Sequence, residues 1–237
     1  ISGLPLYRYL GGAFTPTLPI PYMNIINGGA HANNSLDFQE FMIVPHGFSS
    51  FSEALRAGVE IYETLKTLLN KKKLMTSVGD EGGFAPNLKK SKEAINFILE
   101  ALEQTNYTPE TQISLALDCA ASNFFDGKVY TLAGENKKLS QESMVEYFES
   151  LVEEYPIVSI EDPLDENNWD GFSLITKRLG KKIQIIGDDL FVTNKNRLNK
   201  GISQGAANSL IIKPNQVGTL SETLECISTA RKAGYKV

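Results

Sequence analysis

The sequence predicts an α/β fold: an incomplete, TIM-like (β/α) barrel that begins with a strand pair and two helices. Three observations carry this. Short apolar runs, "ISLALD", "IVSIED", "IQIIGDD" and "SLIIK", recur through the second half of the chain. Each is followed by a stretch whose apolar residues return at three- and four-residue steps, the period of an amphipathic helix. The runs are apolar on both faces, as strands covered by other elements are, which argues for a parallel sheet. With the closing "YKV" there are seven strands, short of the eight that close a barrel. Neither GxGxxG nor GxxxxGK[ST] occurs, which weakens a doubly wound dinucleotide-binding alternative.

The first segment, "TPTLPIPYMNIINGG", is punctuated by Pro16, Pro19 and Pro21, then runs apolar through Met23, Ile25 and Ile26. Gly28 and Gly29 open a loop, "GGAHANNSLD", before a second strand, "FQEFMIVP". Ser50 and Glu53 form a capping box ahead of a helix whose stripe is Leu55, Val59, Tyr62, Leu65 and Leu69. "KKKLMTSVGDEGGFAPN" breaks that helix, and Ser91 caps the next, with Ile95, Ile98 or Leu99, and Leu102 inward. After "ISLALD", "KVYTL" reads as a short extra strand within an insertion. Ser140 begins a helix carrying Met144, Tyr147, Phe148 and Leu151. Helices are expected from Trp169 to Leu179, Asn194 to Ile202, and Leu220 to Ala233, the last closed by Gly234. The intervals from Glu161 to Asp188 and from Asp188 to Lys213 suit single βα units; the longer one from Asp118 to Glu161 has room for the extra strand.

Composition bounds the function. An apolar share of 42% supports a core, and a net charge of −5 disfavours nucleic-acid binding through a broad basic surface. Cys119 and Cys226 lie far apart and fit reduced, structural thiols. No run approaches the roughly 20 apolar residues of a membrane span, and "ISGLPLYRYLGG" lacks the regions of a signal peptide. A cytoplasmic location is therefore expected. The chain starts without Met and stops at "AGYKV", the opening of a strand. It is read as an internal piece, with residues 1–20 leading in from a preceding domain and 21–237 forming a partial barrel.

Asp118, Glu161 and Asp188 each stand where an apolar strand stops, and in parallel barrels that rim holds the active site. One such acid is commonly a helix cap or an ion-pair partner. Three successive ones would repel and raise one another's pKa unless something positive lies between them. Oxygen donors without Cys or His favour a hard cation such as Mg²⁺. Lys213 ends the next strand as a counter-ion or a base, and a nearby cation would lower its pKa. Asp162 and Asp189 suit caps or supporting partners. In "SVGDEGGFAPN", glycines around Asp80 and Glu81 permit close approach to a ligand, or an ordinary surface turn. His31 fits loop packing and substrate contact equally; His46, after Pro45, fits a surface turn. Lys71, Lys72 and Lys73 complement a helix dipole.

Taken in order, "MNIINGGAHANN", "DFQEFMIVP", "SVGDEGGFAPN", "LALDCAAS", "PIVSIEDPLDENNWDGF", "GDDLFVTN" and "NQVGTLSETL" resemble the enolase family over essentially the whole chain, and "GKVYTLAGENKKLS" is similar to its bacterial form. The resemblance implies an enolase-type barrel and the Mg²⁺-dependent, reversible dehydration of 2-phosphoglycerate to phosphoenolpyruvate in glycolysis, a hydro-lyase reaction. It makes Asp118, Glu161 and Asp188 the metal ligands, Lys213 the base that removes the C2 proton, and Glu81 the donor to the departing hydroxyl. His31, Gln39 and Glu40 would lie beside substrate, Glu40 orienting the acid side, with Glu161, Asp188 and Lys213 also lining it. Glu81 would need to be protonated when it acts, a state that crowding by other carboxylates would favour.

The resemblance further implies a homodimer or higher oligomer, and surface partners such as plasminogen with a secondary cell-surface location. The family continues with a His-Arg-Ser segment and a later Lys, and is preceded by a smaller α+β domain that supplies a Ser to a second metal. The segment alone is therefore expected to be inactive or nearly so. Pro214 departs from the family, which more often has an apolar or small residue after the lysine, and little harm is expected at a strand terminus. Two alternatives stay open: a superfamily lyase or racemase acting on another acid or sugar, and a non-catalytic binding protein.

Overall fold

The computed structural model describes residues 2–13 and 17–237; Pro16 lies outside the described residues. A short helix, α1 (Leu6–Gly11), precedes the strand pair β1 (Met23–Asn27) and β2 (Glu40–Pro45). Two helices follow, α2 (Phe51–Lys71) and α3 (Ser91–Gln104), then β3 (Ile113–Asp118). A hairpin of β4 (Tyr130–Leu132) and β5 (Lys137–Leu139) leads to α4 (Gln141–Glu154). From there strand and helix alternate through β6 (Ile157–Glu161), α5 (Trp169–Leu179), β7 (Gln184–Gly187), α6 (Lys195–Gln204) and β8 (Ser209–Leu210). The one-turn α7 (Pro214–Val217) and α8 (Leu220–Lys232) complete the order.

The main sheet runs β1-β2-β3-β6-β7-β8 and stays open, an incomplete barrel. The first two pairings are antiparallel and the remaining three parallel. "YKV" joins the β8 edge through a parallel bridge between Ser209 and Lys236. The outer face carries Phe41, Ile43, Leu115, Leu117, Ile160 and Ile185, buried in one cluster with helix residues such as Ile61, Ile95, Phe148 and Phe172. The inner face is different. Met42, Val44 and Ala116 form a separate small cluster there with Val158, beside buried Ser114, Ser159 and Ser209. The inner face is thus apolar only in part: Ser114, Ser159 and Ser209 stand among its apolar residues, so the strands are not apolar on both faces throughout.

Helix ends follow the chemistry of their first residues. Ser50, Ser140 and Asn194 each accept a backbone N–H from the first turn. Ser91 does not cap α3: it lies buried inside the first turn, and the Glu93 carboxylate accepts the N–H groups of Lys89 and Lys90 at 3.0 and 3.2 Å instead. The α2 stripe is also shifted. Leu55 and Val59 are exposed, while Ala54, Ala57, Gly58, Ile61, Leu65, Leu68 and Leu69 are buried. Small residues take the contact face because the helix approaches β1 closely; a Cβ on Gly58 would fall 2.3 Å from the Met23 sulfur. "KVYTL" proves to be the first half of a hairpin whose partner, Lys137–Leu139, is largely exposed and carries no apolar signal. Pro214 begins α7, where its missing N–H has no intrahelical partner to lose. Cys119 and Cys226 are free and buried.

The hairpin anchors the loop between β1 and β2. The Asp37 carboxylate accepts the N–H groups of Ala133 and Gly134, at 2.7 and 3.2 Å. Next to it, Phe38 is fully buried, with the rings of Phe41, Phe124, Tyr147 and Phe148 at centroid distances of 5.7–6.3 Å. Phe38→Ala is expected to lower the unfolding free energy by about 3–5 kcal/mol in urea denaturation followed by circular dichroism. A loss below about 1 kcal/mol, within the usual range for surface substitutions and small repacking, would contradict this anchoring role.

Candidate active site

The sheet register assembles the site. Glu40 on β2 stands opposite Asp118 on β3, and Asp118 opposite Glu161 on β6. Asp188 follows β7 by one residue, and Lys213 lies beyond β8 as the residue before α7. With Gln39 and Glu81, these side chains line one cavity of about 740 Å³.

Glu81 arrives from the turn between α2 and α3. That turn is pressed against β1 and the His31 loop: a Cβ on Gly79 would meet the His31 carbonyl oxygen at 2.6 Å, and one on Gly83 the Ile26 backbone at 2.9 Å. Gly82 adopts φ +84°, which a side chain would strain. The "DEGG" stretch is thus a docked turn rather than a free surface one. His31 Nδ1 lies 3.5 Å from Glu81 Oε1, so His31 reaches the site through Glu81 rather than lining the cavity itself. Ligand atoms of His31, Glu40 and Glu81 all lie within 4.8 Å of one another, a closer grouping than Asp118, Glu161 and Asp188 make.

Burial and like charge dominate the electrostatics. Burial pushes Asp118 up to about 7, against hydrogen bonds from the Ala120 N–H and the Gln39 amide, both at 3.0 Å. Glu161 is driven well above the carboxylate range by burial first, then by the charges of Asp118, Asp162 and Asp188. Glu40 rises to about 9, through burial, a hydrogen bond with Glu81, and the charges of Asp118 and Glu81. Desolvation pulls Lys213 down, but its hydrogen bond and ion pair with Asp188 outweigh this and raise it. A lowered Lys213 needs a competing cation at the carboxylates; with the carboxylates alone, the ammonium is itself their counter-ion.

Supporting groups fix these positions. The Asp162 carboxylate accepts the N–H groups of Asp188 and Asp189, at 3.2 and 2.7 Å, as a partner to the β7 end. His46 bonds Ser114 across β2 and β3, at 2.9 Å, well away from the site. Asn27, fully buried, was not singled out by sequence: its amide donates to the Gln39 carbonyl at 3.2 Å, and its oxygen accepts the Gly83 N–H at 3.0 Å. It ties the Gln39 backbone to the Glu81 turn; a polar residue ending an apolar strand was its one visible signal. Gln216, whose amide donates to Asp188 Oδ1 at 3.1 Å, was read only as part of a motif.

The donor chemistry of Asp118, Glu161 and Asp188 fits a hard dication: buried carboxylate oxygens, no sulfur or nitrogen, and mutual repulsion that added positive charge would relieve. His31, Glu40 and Glu81 instead bring an imidazole within 4.8 Å of two carboxyl groups, a set suited to acid–base work.

Residues 15–237 match the family described as Enolase, C-terminal TIM barrel domain. A curated relative described as Enolase, from Wolinella succinogenes, is 55% identical over 234 residues, covering 98% of this chain. The chain spans 56% of that relative's length. With an open, mostly parallel sheet, acids at its strand ends and a family match across nearly all its residues, this chain belongs to the enolase family and forms an incomplete barrel of its C-terminal domain.

Proposed function

We propose that the polypeptide carrying this chain catalyses the Mg²⁺-dependent, reversible dehydration of 2-phosphoglycerate to phosphoenolpyruvate, the glycolytic hydro-lyase reaction. The observation that carries this reading is one cavity lined both by a lysine among strand-end carboxylates and by two glutamates, Glu40 and Glu81, set close together. Asp118, Glu161 and Asp188 would hold Mg²⁺, which when bound supplies charge that offsets the negative charge developing beside the substrate carboxylate.

The chain's own residues move the protons. A C2 proton beside a carboxylate is a very weak acid, so the base must be close and free of its own proton. Lys213 Nζ fills that role once its ion pair with Asp188 is relaxed. Hydroxide is a poor leaving group, so a proton must reach it as the C3–O bond breaks, and water departs. Glu81 donates that proton. Glu40, which holds its own proton up to about pH 9, hydrogen-bonds Glu81, and His31 flanks it. Acid and base sit on separate elements, the turn before α3 and the residue before α7, an arrangement that suits groups serving different faces of the substrate. Gln39, held between Asp118 and Asn27, stands beside Glu40 to orient substrate.

Among the described residues no helix is long and apolar enough to cross a membrane. A cytoplasmic location and a homodimer go with the glycolytic reading. Because the chain spans 56% of its relative, the activity is proposed for the longer polypeptide. Residues 1–237 purified alone are expected to turn over 2-phosphoglycerate hardly at all in a coupled assay; a rate equal to a full-length enolase would contradict this.

In a full-length chain, Lys213→Ala is expected to slow exchange of the C2 hydrogen with D₂O by at least about 100-fold, while calorimetry still detects Mg²⁺ binding. Unchanged exchange would remove Lys213 as the base.

A pH dependence follows from the raised carboxyl groups. Asp118 and Glu40 ordinarily titrate at 3.8 and 4.5, and in the fold at about 7 and about 9. Between those limits the folded state keeps protons that the unfolded chain releases. Their contribution is thus present below the ordinary values and lost as pH climbs through the folded ones. The metal-free melting temperature is expected to fall from about pH 5 to about pH 9. Mg²⁺ at 100 times its Kd should add about 2.7 kcal/mol. A flat profile insensitive to Mg²⁺ would contradict the burial of these charges.

A further inference from the structure

The loop after β7 places two consecutive β-branched residues, Val192 and Thr193, at φ +44° and +53°. Left-handed backbone costs such residues about 1–2 kcal/mol each, so it persists only where the surroundings impose it. Here they do. The N–H groups of Phe191 and Val192 both donate to the Asp188 carbonyl, at 3.1 and 2.7 Å, and Thr193 is buried, 1% exposed.

The turn delivers the Thr193 hydroxyl to the segment that carries the base. It accepts the Lys213 N–H at 2.9 Å and donates to Gln216 Oε1 at 3.0 Å. The Gln216 amide donates to Asp188 Oδ1 at 3.1 Å, and Asp188 Oδ2 takes the Lys213 ammonium. The polarity of this ring is forced. A carboxylate only accepts, so Gln216 must present its NH₂ to Asp188 and its carbonyl to Thr193. Thr193 must then donate to Gln216, leaving a lone pair for the Lys213 N–H.

We propose that Thr193, acting through Gln216, is a positioning residue that keeps Asp188 and the Lys213 amine in working register. The inference rests on Lys213 being the C2 base. By holding Oδ1, Gln216 stops the Asp188 carboxylate from turning both oxygens onto the ammonium. That alternative would hold the amine against Asp188 and withdraw Asp188 from a cation shared with Asp118 and Glu161. The Thr193–Lys213 bond fixes the backbone from which the amine reaches inward. Valine matches threonine in shape but offers no hydroxyl, whereas serine retains it.

The test uses a full-length enolase polypeptide carrying this segment, with Thr193→Val, Thr193→Ser, Gln216→Met and Lys213→Ala compared. Thr193→Val and Gln216→Met are expected to lower kcat by about 10–100-fold and to weaken Mg²⁺ binding, read by calorimetry without substrate, by about tenfold. KM should move less than kcat, and Thr193→Ser should restore both kcat and Mg²⁺ affinity. Gln216 is exposed, so its variant gives the answer even if Thr193→Val does not fold. Parent-like kcat and Mg²⁺ affinity in Gln216→Met, or a Thr193→Ser as impaired as Thr193→Val, would overturn the proposal. If Lys213→Ala abolishes C2 exchange while the relay variants behave as the parent, the relay alone is wrong. If Lys213→Ala keeps exchange, the base reading falls and the relay with it.

Discussion

The register that sets Glu40 opposite Asp118, and Asp118 opposite Glu161, lines carboxyl groups across three neighbouring strands at one end of the sheet. Side chains alternate along a strand, so a slip of one residue would turn Leu117 and Ile160 into the cavity and drive the acids beneath the helices. The outer face prevents that slip. Phe41, Ile43, Leu115, Leu117, Ile160 and Ile185 are buried against the helices, and each buried side chain of this kind contributes about 1.5–3 kcal/mol. That apolar face holds in place a row of acids whose repulsion would otherwise separate them. Burial first, and the charges of the neighbouring acids after it, raise the proton affinities of Glu40, Asp118 and Glu161.

What stands around the row limits how it can relax. Gln39 and the Ala120 N–H hold Asp118, Asp162 holds the backbone of Asp188 and Asp189, and Asn27 joins the Gln39 strand edge to the Glu81 turn. Glycines 79 and 83 admit that turn against β1 at distances no side chain would tolerate. The hairpin, remote in sequence, grips the other side of the His31 loop through Asp37. Strand ends place Glu40, Asp118 and Glu161, and a docked turn places Glu81. The acids around the cavity therefore rest on different supports.

Much of this was legible in the residues because it is written locally. An acid at the end of an apolar run, a serine three residues before a glutamate, and glycines around "DE" each carry their own physical reason. Where the signal was not local, reading failed. The stripe on α2 follows small residues, Ala54, Ala57 and Gly58, chosen by how closely Met23 approaches, and nothing on the helix itself shows that distance. The inner sheet face looked apolar because Ala116, Ser114 and Ser159 interrupt short runs too briefly to show alternation. The lifted proton affinity of Glu40 has no sequence signal because burial, a three-dimensional quantity, is its largest cause. The Thr193–Gln216 relay joins loops after two different strands, and no spacing rule relates them.

Two groupings of donors now share one end of the barrel: Asp118, Glu161 and Asp188 at strand ends, and the closer His31, Glu40 and Glu81 set. Under the proposed function, the first set holds a cation and the second moves protons. Anomalous diffraction from crystals of a full-length enolase carrying this segment, soaked in Mn²⁺ as a stand-in for Mg²⁺, tests it directly. The division of roles requires a metal peak among the oxygens of Asp118, Glu161 and Asp188, with none between His31, Glu40 and Glu81. A peak at the second set with the strand-end acids empty would contradict it.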